Sequence, residues 1–486
     1  MPMTVENMTQ QASQASGSPC DRLARLPGQA VAVVGAGRSG LAATRLLVAL
    51  GARVSLVDHR PETEWAATVP TSHPWDIGLF GGERFAQGLE AVDLVVVSPG
   101  VPSDLEALDG VRQRGVPVVG EVEVASWLFS IPVIGVTGTN GKSTVVSLLG
   151  GLFRECGRTP FVGGNLGPPL AEAALTIHQH ARAGRTTVPP VQAIVAELSS
   201  FQLETIDRFR PHIAVLLNIT PDHLDRYPDF AAYARAKTRI FRNQTSEDFA
   251  LLNADDPHLR TVRPSLRGRL VEWSLTREVP AGVWVDGDTI MTRWNGPPEA
   301  LMPVNEIALA GRHNLSNVLA AVAVGMVSGC SRAGMRRAVQ VFHGLAHACE
   351  VVCERRGVTF IDDSKGTNVD ATIHALNSLG RPVVIILGGR AKGLSEFHRL
   401  QEPLRRNAVH CIVLGESAAT IARAVAGAGA VSRVSSLAEG VKLAATIAAP
   451  GDAVLLSPAC ASFDMFRDYR DRGQQFQELV KALPHA

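Results

Sequence analysis

The sequence predicts an α/β protein of three domains behind a disordered tail over residues 1–27. An N-terminal Rossmann-like domain covers 28–127, a central P-loop ATPase-type domain 128–344, and a C-terminal Rossmann-like domain 345–486. Three observations carry this expectation. Short β-branched runs alternate with helical stretches in the first and last thirds, the texture of parallel sheets with crossover helices. In the middle third an apolar strand runs into a Gly-rich turn and then a helix. The chain has 486 residues, enough for about three domains at ~150 residues each.

Bulk properties exclude several classes. The chain is 46% hydrophobic and 19% charged with a net charge of +1, so charge balance implies no nucleic-acid partner. No apolar stretch is long enough to span a membrane. The tail is rich in Gln, Ser, Thr and Met and has no apolar core, unlike a signal peptide. Basic pairs such as Arg355-Arg356 and Arg405-Arg406 read as solvated faces. Seven scattered cysteines include no Cys-x-x-Cys pair, and Cys349 and Cys353 lack a matching His or Cys pair. Buried free thiols in a reducing cytoplasm are the expectation, rather than a zinc site.

The first domain opens with a strand at Val31–Val34, a turn at Gly35-Ala36-Gly37-Arg38-Ser39-Gly40 and a helix over Leu41–Leu50. Further strands run over Val54–Val57, ending in Asp58, and over Leu94–Val97, ending in Ser98-Pro99-Gly100. Gly35-x-Gly37-x-x-Gly40 followed by Asp58 has the spacing of a dinucleotide fingerprint. It fits a diphosphate on the helix N-terminus and an acid accepting ribose or base hydrogen bonds. A nicotinamide oxidoreductase is therefore one alternative, although the phosphate machinery downstream has no place in a simple dehydrogenase.

That machinery begins with the strand Ile131–Val136, followed by Thr137-Gly138-Thr139-Asn140-Gly141-Lys142-Ser143-Thr144 and a helical pattern from Val145. Glycines let amides turn toward phosphate oxygens, and the helix N-terminus adds its positive dipole end. Lys142 can reach the terminal phosphates, and Ser143 or Thr144 can hold Mg²⁺. Val136 stands where the strict pattern has Gly, so this is a variant P-loop. Two more strands end in polar residues: Ala193–Ala196 in Glu197-Leu198-Ser199-Ser200, and Ile213–Leu217 in Asn218-Ile219-Thr220-Pro221-Asp222-His223. Ligands collect at the carboxyl ends of strands in open sheets. Glu197 alone would read as a helix N-terminal acid and His223 as a loop histidine, but after a P-loop both stand where metal and phosphates would lie. A surface loop is expected over Arg182–Pro190, and a hairpin on the Asp286-Gly287 turn over Val283–Ile290. The third domain has strands at Thr359–Ile361, Val383–Leu387, Cys411–Leu414 and Ala453–Leu456, with Gly388 and Gly389 allowing close backbone approach to a ligand.

One lysine falls on an apolar face. Over Asp229–Phe241 a helix would place Phe230, Tyr233, Lys237, Ile240 and Phe241 together. A buried ammonium is costly unless paired or neutralised. Lys237 either snorkels to the surface or is a functional lysine held neutral. A neutral amine reacts with CO₂ to give a carbamate, an anion able to bind Mg²⁺.

The segments Thr137–Thr144, Glu197-Leu198-Ser199-Ser200-Phe201-Gln202-Leu203 and Asp222-His223-Leu224-Asp225-Arg226-Tyr227 resemble the Mur ligases of bacterial cell-wall synthesis, whose wider superfamily includes folylpolyglutamate synthase. Asp363-Ser364-Lys365-Gly366-Thr367-Asn368 and Ser457-Pro458-Ala459-Cys460-Ala461-Ser462-Phe463-Asp464 are similar to the family's D-glutamate-adding branch. The resemblance runs from about Gly28 to the C-terminus.

It implies a cytoplasmic, monomeric, ATP-dependent ligase. This would join D-glutamate to UDP-N-acetylmuramoyl-L-alanine through an acyl phosphate, without nucleic-acid or membrane partners. Gly35, Gly37, Arg38, Ser39, Asp58, Arg60, Asn165 and His223 would contact the UDP sugar. Gly138, Thr139, Asn140, Gly141, Lys142, Ser143 and Thr144 would bind ATP, with Asn314 and Asn317 near the adenine and Lys365 at the phosphates. Ser143, Glu197, His223 and Lys237 as its carbamate would hold Mg²⁺; Lys142, His223 and Lys237 would be the catalytic group. Lys365, Thr367, Lys392, Ser462 and Phe463 would form the glutamate pocket. One departure stands out: in Gly344-Leu345-Ala346-His347-Ala348-Cys349-Glu350 the family's hinge motif has Arg where Ala348 stands. The lost phosphate contact leaves Arg355 or Lys365 as replacements, or a binding-only protein. A ligase adding glutamate to folate, or another amino acid to a muramyl precursor, is the other alternative within the superfamily.

Overall fold

Nearly every residue is buried in Ala30–Val34, Leu94–Val97, Val133–Thr137, Ala193–Glu197, Ile213–Leu216 and Val383–Gly388. Strands apolar along their whole length are covered on both faces, which is the condition of parallel sheets. A computed structural model describes residues 19–69, 77–102, 104–183, 191–309, 311–392 and 396–483. Residues 1–18 of the tail expected over 1–27, and 184–190 of the loop expected over 182–190, lie outside the described residues.

Three sheets answer to the three expected domains. The first orders its strands Gly78–Gly81, Arg53–Asp58, Ala30–Val34, Leu94–Val97, Val118–Gly120, all parallel. The second runs Glu299–Pro303, Thr289–Arg293, Gly282–Asp286, Arg269–Ser274, Phe249–Asn253, Ile213–Leu216, Val133–Thr137, Ala193–Glu197, Pro160–Gly164. It is parallel except at the Thr289–Arg293 and Glu299–Pro303 end, where the expected hairpin turns at Gly287 with φ +58°. The third runs Glu350–Arg355, Val358–Asp362, Ala453–Leu456, Val383–Gly388, Ala408–Leu414, Ala430–Arg433, antiparallel only between its first two strands.

The chain divides into two compact units. One comprises 1–218, 234–306 and 317–341; the other 219–233, 307–316 and 342–486. The first two sheets thus share a unit, while 219–233 and 307–316, read from sequence as central-domain residues, belong to the unit of the third sheet. The expected tail also ends early: Pro19–Arg25 is helical, and Arg22 donates to Asp207 Oδ2 at 2.7 Å. Cys330, Cys411 and Cys460 are buried free thiols, and Cys156, Cys349 and Cys353 are half-buried ones.

Two buried glutamates on the helix Glu121–Ser126 fasten the first sheet's domain to the second within their unit. Glu123 Oε2 accepts the amides of Asp207, Arg208 and Phe209 at 2.8–3.0 Å, and its Oε1 accepts Trp127 Nε1 at 3.0 Å. Glu121 Oε1 accepts the amide of Ala171, in the first turn of the helix Leu170–Arg182, at 2.5 Å. Each satisfies amides that would otherwise be buried without partners.

Burial pushes the Glu121 carboxyl up to about 7, against the opposing bonds from the amides of Ala171 and Leu170. Between 4.5, its ordinary value, and about 7 the folded chain holds a proton that the unfolded chain releases. This contribution to stability is complete below the lower value and lost as pH rises through the upper one. Urea unfolding at several pH values should therefore show wild type losing stability relative to Glu121→Gln across that window. A difference that does not vary with pH would mean Glu121 is ionised in the folded protein.

Candidate functional site

The turn after Val133–Thr137 is shaped by two glycines and an asparagine. Gly138 has φ +149°, and a Cβ there would come within 2.9 Å of Leu217 Cβ. Gly141 has φ +85°, and a Cβ there would collide with Asn317 Oδ1. Both positions favour glycine on conformation and on space. The neighbouring strand Ile213–Leu216 leads to Asn218, whose Oδ1 accepts the amides of Thr139 at 3.1 Å and Asn140 at 2.9 Å while its Nδ2 donates to Asn140 O at 3.1 Å. The helix begins at Lys142, three residues before the expected Val145, because Gly141 frees the chain to start it and polar residues suit a first turn. First-turn amides have no acceptor within a helix, and a helix N-terminus of this kind suits an anion.

Lysines crowd this loop. Lys142 Nζ donates to Gly138 O at 2.8 Å and Thr139 O at 2.7 Å. Lys237 is 2% exposed, and its Nζ donates to the same Gly138 O at 2.7 Å. Tyr233, Ile240 and Phe241 of the face read from sequence are buried too and Phe230 is half-buried, and snorkelling is excluded. Glu197 pairs in register with Val136 on one side and Gly164 on the other, which places it beside the loop. It is 2% exposed; Oε1 accepts Asn165 Nδ2 at 2.8 Å, and the buried Oε2 has no hydrogen-bond partner among the described residues. A buried, unpartnered carboxylate oxygen near a helix N-terminal serine fits a hard divalent cation.

Asn165 also faces a cleft of about 750 Å³. Seven residues expected at the UDP sugar line it: Gly35, Gly37, Arg38, Ser39, Asp58, Arg60 and Asn165. So do Ser98, Pro99, Gly100 and, unforeseen, Phe85 and Gln202. Arg38 donates to Gly167 O at 2.7 Å. Asp58, read as a direct acceptor for ligand, is already engaged. Its oxygens accept the amide of Ala36 at 2.8 Å and the amide, Nε and Nη2 of Arg60 at 2.9–3.0 Å. Burial pushes this carboxyl up, but the guanidinium and the two amides outweigh it and hold it well below the usual range. Asp58 thus anchors the glycine turn and aims Arg60.

His223 and Asn314 fall in the other unit. His223 has φ +56°, a left-handed conformation, and its Nε2 lies 3.7 Å from Asp222 Oδ2. In the same unit Lys392 Nζ stands 3.3 Å from Thr367 Oγ1 and 3.6 Å from Asp222 Oδ1, and Asn368 Nδ2 donates to Asp222 Oδ2 at 3.2 Å. Thr367, Asn368, Lys392 and Asp222 line one small polar pocket. Lys365 lies over the Tyr469 ring at 4.8 Å, Ser462 is buried, and Phe463 is 65% exposed. Burial pushes the Asp363 carboxyl up to about 7 despite bonds from Ser457 Oγ and the Cys349 amide.

Around Ala348 the backbone is tight, with His347 at φ +61° and Cys349 at +51°. His347 Nδ1 lies 2.6 Å from Asp362 Oδ2, and Gln477 Nε2 donates to Asp362 Oδ2 at 3.0 Å and Glu350 Oε2 at 3.1 Å. Arg355 is no replacement for the missing arginine, because it donates to Lys481 O at 2.6 Å and to Leu483 O beyond the last helix.

Comparisons with known proteins match these segments. Three family models fit: "Mur ligase MurD-like, N-terminal domain" over 29–120, "Mur ligase middle domain" over 136–325, and "Mur ligase, glutamate ligase domain" over 349–460. A UDP-N-acetylmuramoylalanine–D-glutamate ligase of Pelotomaculum thermopropionicum is 44% identical over 93% of this chain and 97% of its own. The protein of that name from Koribacter versatilis is 41% identical over 94% and 98%. Among solved structures, a pseudomurein peptide ligase of Methanothermus fervidus superposes with TM-score 0.59 at 16% identity over 94% of this chain and 100% of its own. The UDP-N-acetylmuramate–alanine ligase of Thermotoga maritima gives 0.55 at 18% over the same shares.

Removing the Asn218 clamp should loosen the loop without touching the cleft. Asn218→Ala, which removes three part-buried hydrogen bonds, is expected to weaken ATP binding about tenfold or more, with the cleft ligand's affinity unchanged in calorimetric titrations. Unaltered ATP affinity would separate Asn218 from phosphate binding.

Proposed function

The chain belongs to the Mur ligase family and is an ATP-dependent ligase of peptidoglycan precursor synthesis, and we propose that it joins D-glutamate to the alanyl carboxyl of UDP-N-acetylmuramoyl-L-alanine. The observation that carries this reading is Asn165, which lines the 750 Å³ cleft and donates to Glu197 beside the phosphate loop. A UDP sugar in the cleft and ATP on the loop would thus meet at one set of strand ends.

The reaction has two steps. The alanyl carboxylate attacks the γ-phosphorus of ATP, ADP leaves, and an acyl phosphate forms. The amine of D-glutamate then attacks the acyl carbon, an amide bond forms, and phosphate leaves with the amine proton passing to solvent or a base. Two anions must approach in the first step, so fixed positive charge and amides aimed at the phosphates supply most of the catalysis. Lys142, released from its own loop carbonyls, would neutralise the terminal phosphates, and the amides of Lys142, Ser143 and Thr144 would hold their oxygens. Mg²⁺, when bound by Ser143, Glu197 and the carbamate of Lys237, would supply further charge neutralisation. Lys392 and Thr367 would hold the carboxylates of D-glutamate. We read the enzyme as a cytoplasmic monomer; no described helix is long and apolar enough to cross a membrane.

Phosphate release from ATP and UDP-N-acetylmuramoyl-L-alanine tests the reaction. It should depend on D-glutamate and give a product of matching mass, whereas release with L-glutamate alone would overturn the stereochemistry. Carbamylation has its own test. Lys237→Ala should lose activity and regain part of it with added short carboxylates, and wild type in ¹³C-bicarbonate should show a carbamate carbon by NMR. A folded variant that no carboxylate rescues, with no such signal in wild type, would leave Lys237 a plain amine.

A further inference from the structure

Arg472, on the helix Tyr469–Lys481, is 2% exposed. Its Nε donates to Ser364 Oγ at 2.9 Å, its Nη2 to Ser364 O at 2.9 Å and Cys460 O at 3.2 Å, and its Nη1 to Gly388 O at 3.4 Å. Those acceptors lie at the carboxyl ends of three adjacent strands: Val358–Asp362, Ala453–Leu456 and Val383–Gly388. Lys365 follows Ser364 directly, Ser462 stands just beyond Cys460, and Lys392 just beyond Gly388.

We propose that Arg472 is the positioning residue of the amino-acid pocket, its guanidinium setting the relative heights of the three loops that receive the incoming amino acid. The inference rests on the reading of D-glutamate as the second substrate.

The chemistry of the contact supports the assignment. A buried cation whose hydrogen-bond acceptors are carbonyls and a hydroxyl is costly to keep for stability alone, since well-packed neutral residues often serve as well. Burial lowers the guanidinium to about 10, with the neighbouring carboxylates, Asp464 and Asp362 among them, opposing the shift, so it stays charged near neutral pH. A planar fork can hold three loops in fixed relation; a lysine at the same place keeps the charge but not the fork. Backbone bonds already join the loops in pairs, Ala459 N to Gly366 O at 2.9 Å and Arg390 N to Ala461 O at 2.9 Å. Arg472 reaches all three.

The test is the kinetics of Arg472→Lys. The KM for D-glutamate is expected to rise about tenfold or more, the order lost when reacting groups shift by an ångström or less. The KM values for ATP and the UDP sugar should stay within about twofold. So should amino-acid-independent acyl phosphate formation, trapped by hydroxylamine as the hydroxamate. Ser364→Ala, which removes the Oγ acceptor, should raise the same KM by a smaller factor, and it decides the matter if Arg472→Lys does not fold. A lowered Tm with unchanged KM, or an equal rise in every KM, would make Arg472 a structural residue only and overturn the proposal. Wild type that ignores D-glutamate would instead remove the substrate reading on which the proposal rests.

Discussion

Backbone amides at the carboxyl ends of parallel strands are the constraint on which this molecule is built. Those ends must present N–H groups to anionic ligands, yet any amide not so used has to find an acceptor or be left buried without one. Side chains supply the acceptors. Asn218 takes the amides of Thr139 and Asn140, Asp58 takes that of Ala36, and Glu123 takes three in succession. Each acceptor holds the turn that leads into its helix or strand end.

The same economy explains where glycine is needed. At Gly35 a Cβ would press on Ser98, whose Oγ donates to Gly35 O at 3.0 Å. Gly138 and Gly141 face Leu217 and Asn317 in the same way. In each case the backbone comes close to a neighbouring strand end or helix, and a side chain there would have to displace it.

Much of the fold and site was legible in the sequence because it is local. Glycine turns, strand-terminal acids and the apolar face bearing Lys237 each fit within a dozen residues. The glycine turn and Asp58, which line the cleft, were read this way, as was the strand-end position of Glu197. The strands Phe249–Asn253 and Arg269–Ser274 went unread, although Asn253, Asp255 and Asp256 close the first. Asn218 stands at the head of the segment that ends in His223, but its partners are 78 and 79 positions away. Arg472 meets Ser364 across 108 positions, and Glu123 meets Phe209 across 86. A single chain carries no local signal of such pairs. Asp58 was located correctly, but its saturation by Arg60 depends on a side-chain geometry that spacing does not fix.

Lys142 and Lys237 hang from one carbonyl oxygen, so their nitrogens lie no farther apart than two hydrogen-bond lengths. Their occupants are therefore thermodynamically linked. Whatever a bound nucleotide gains from Lys142 depends on the charge carried at Lys237, and by reciprocity the nucleotide shifts the free energy of placing charge there by the same amount. On the carbamate proposed for Lys237, affinity for ATP would vary with the chemical state of that buried amine, and so with dissolved carbon dioxide.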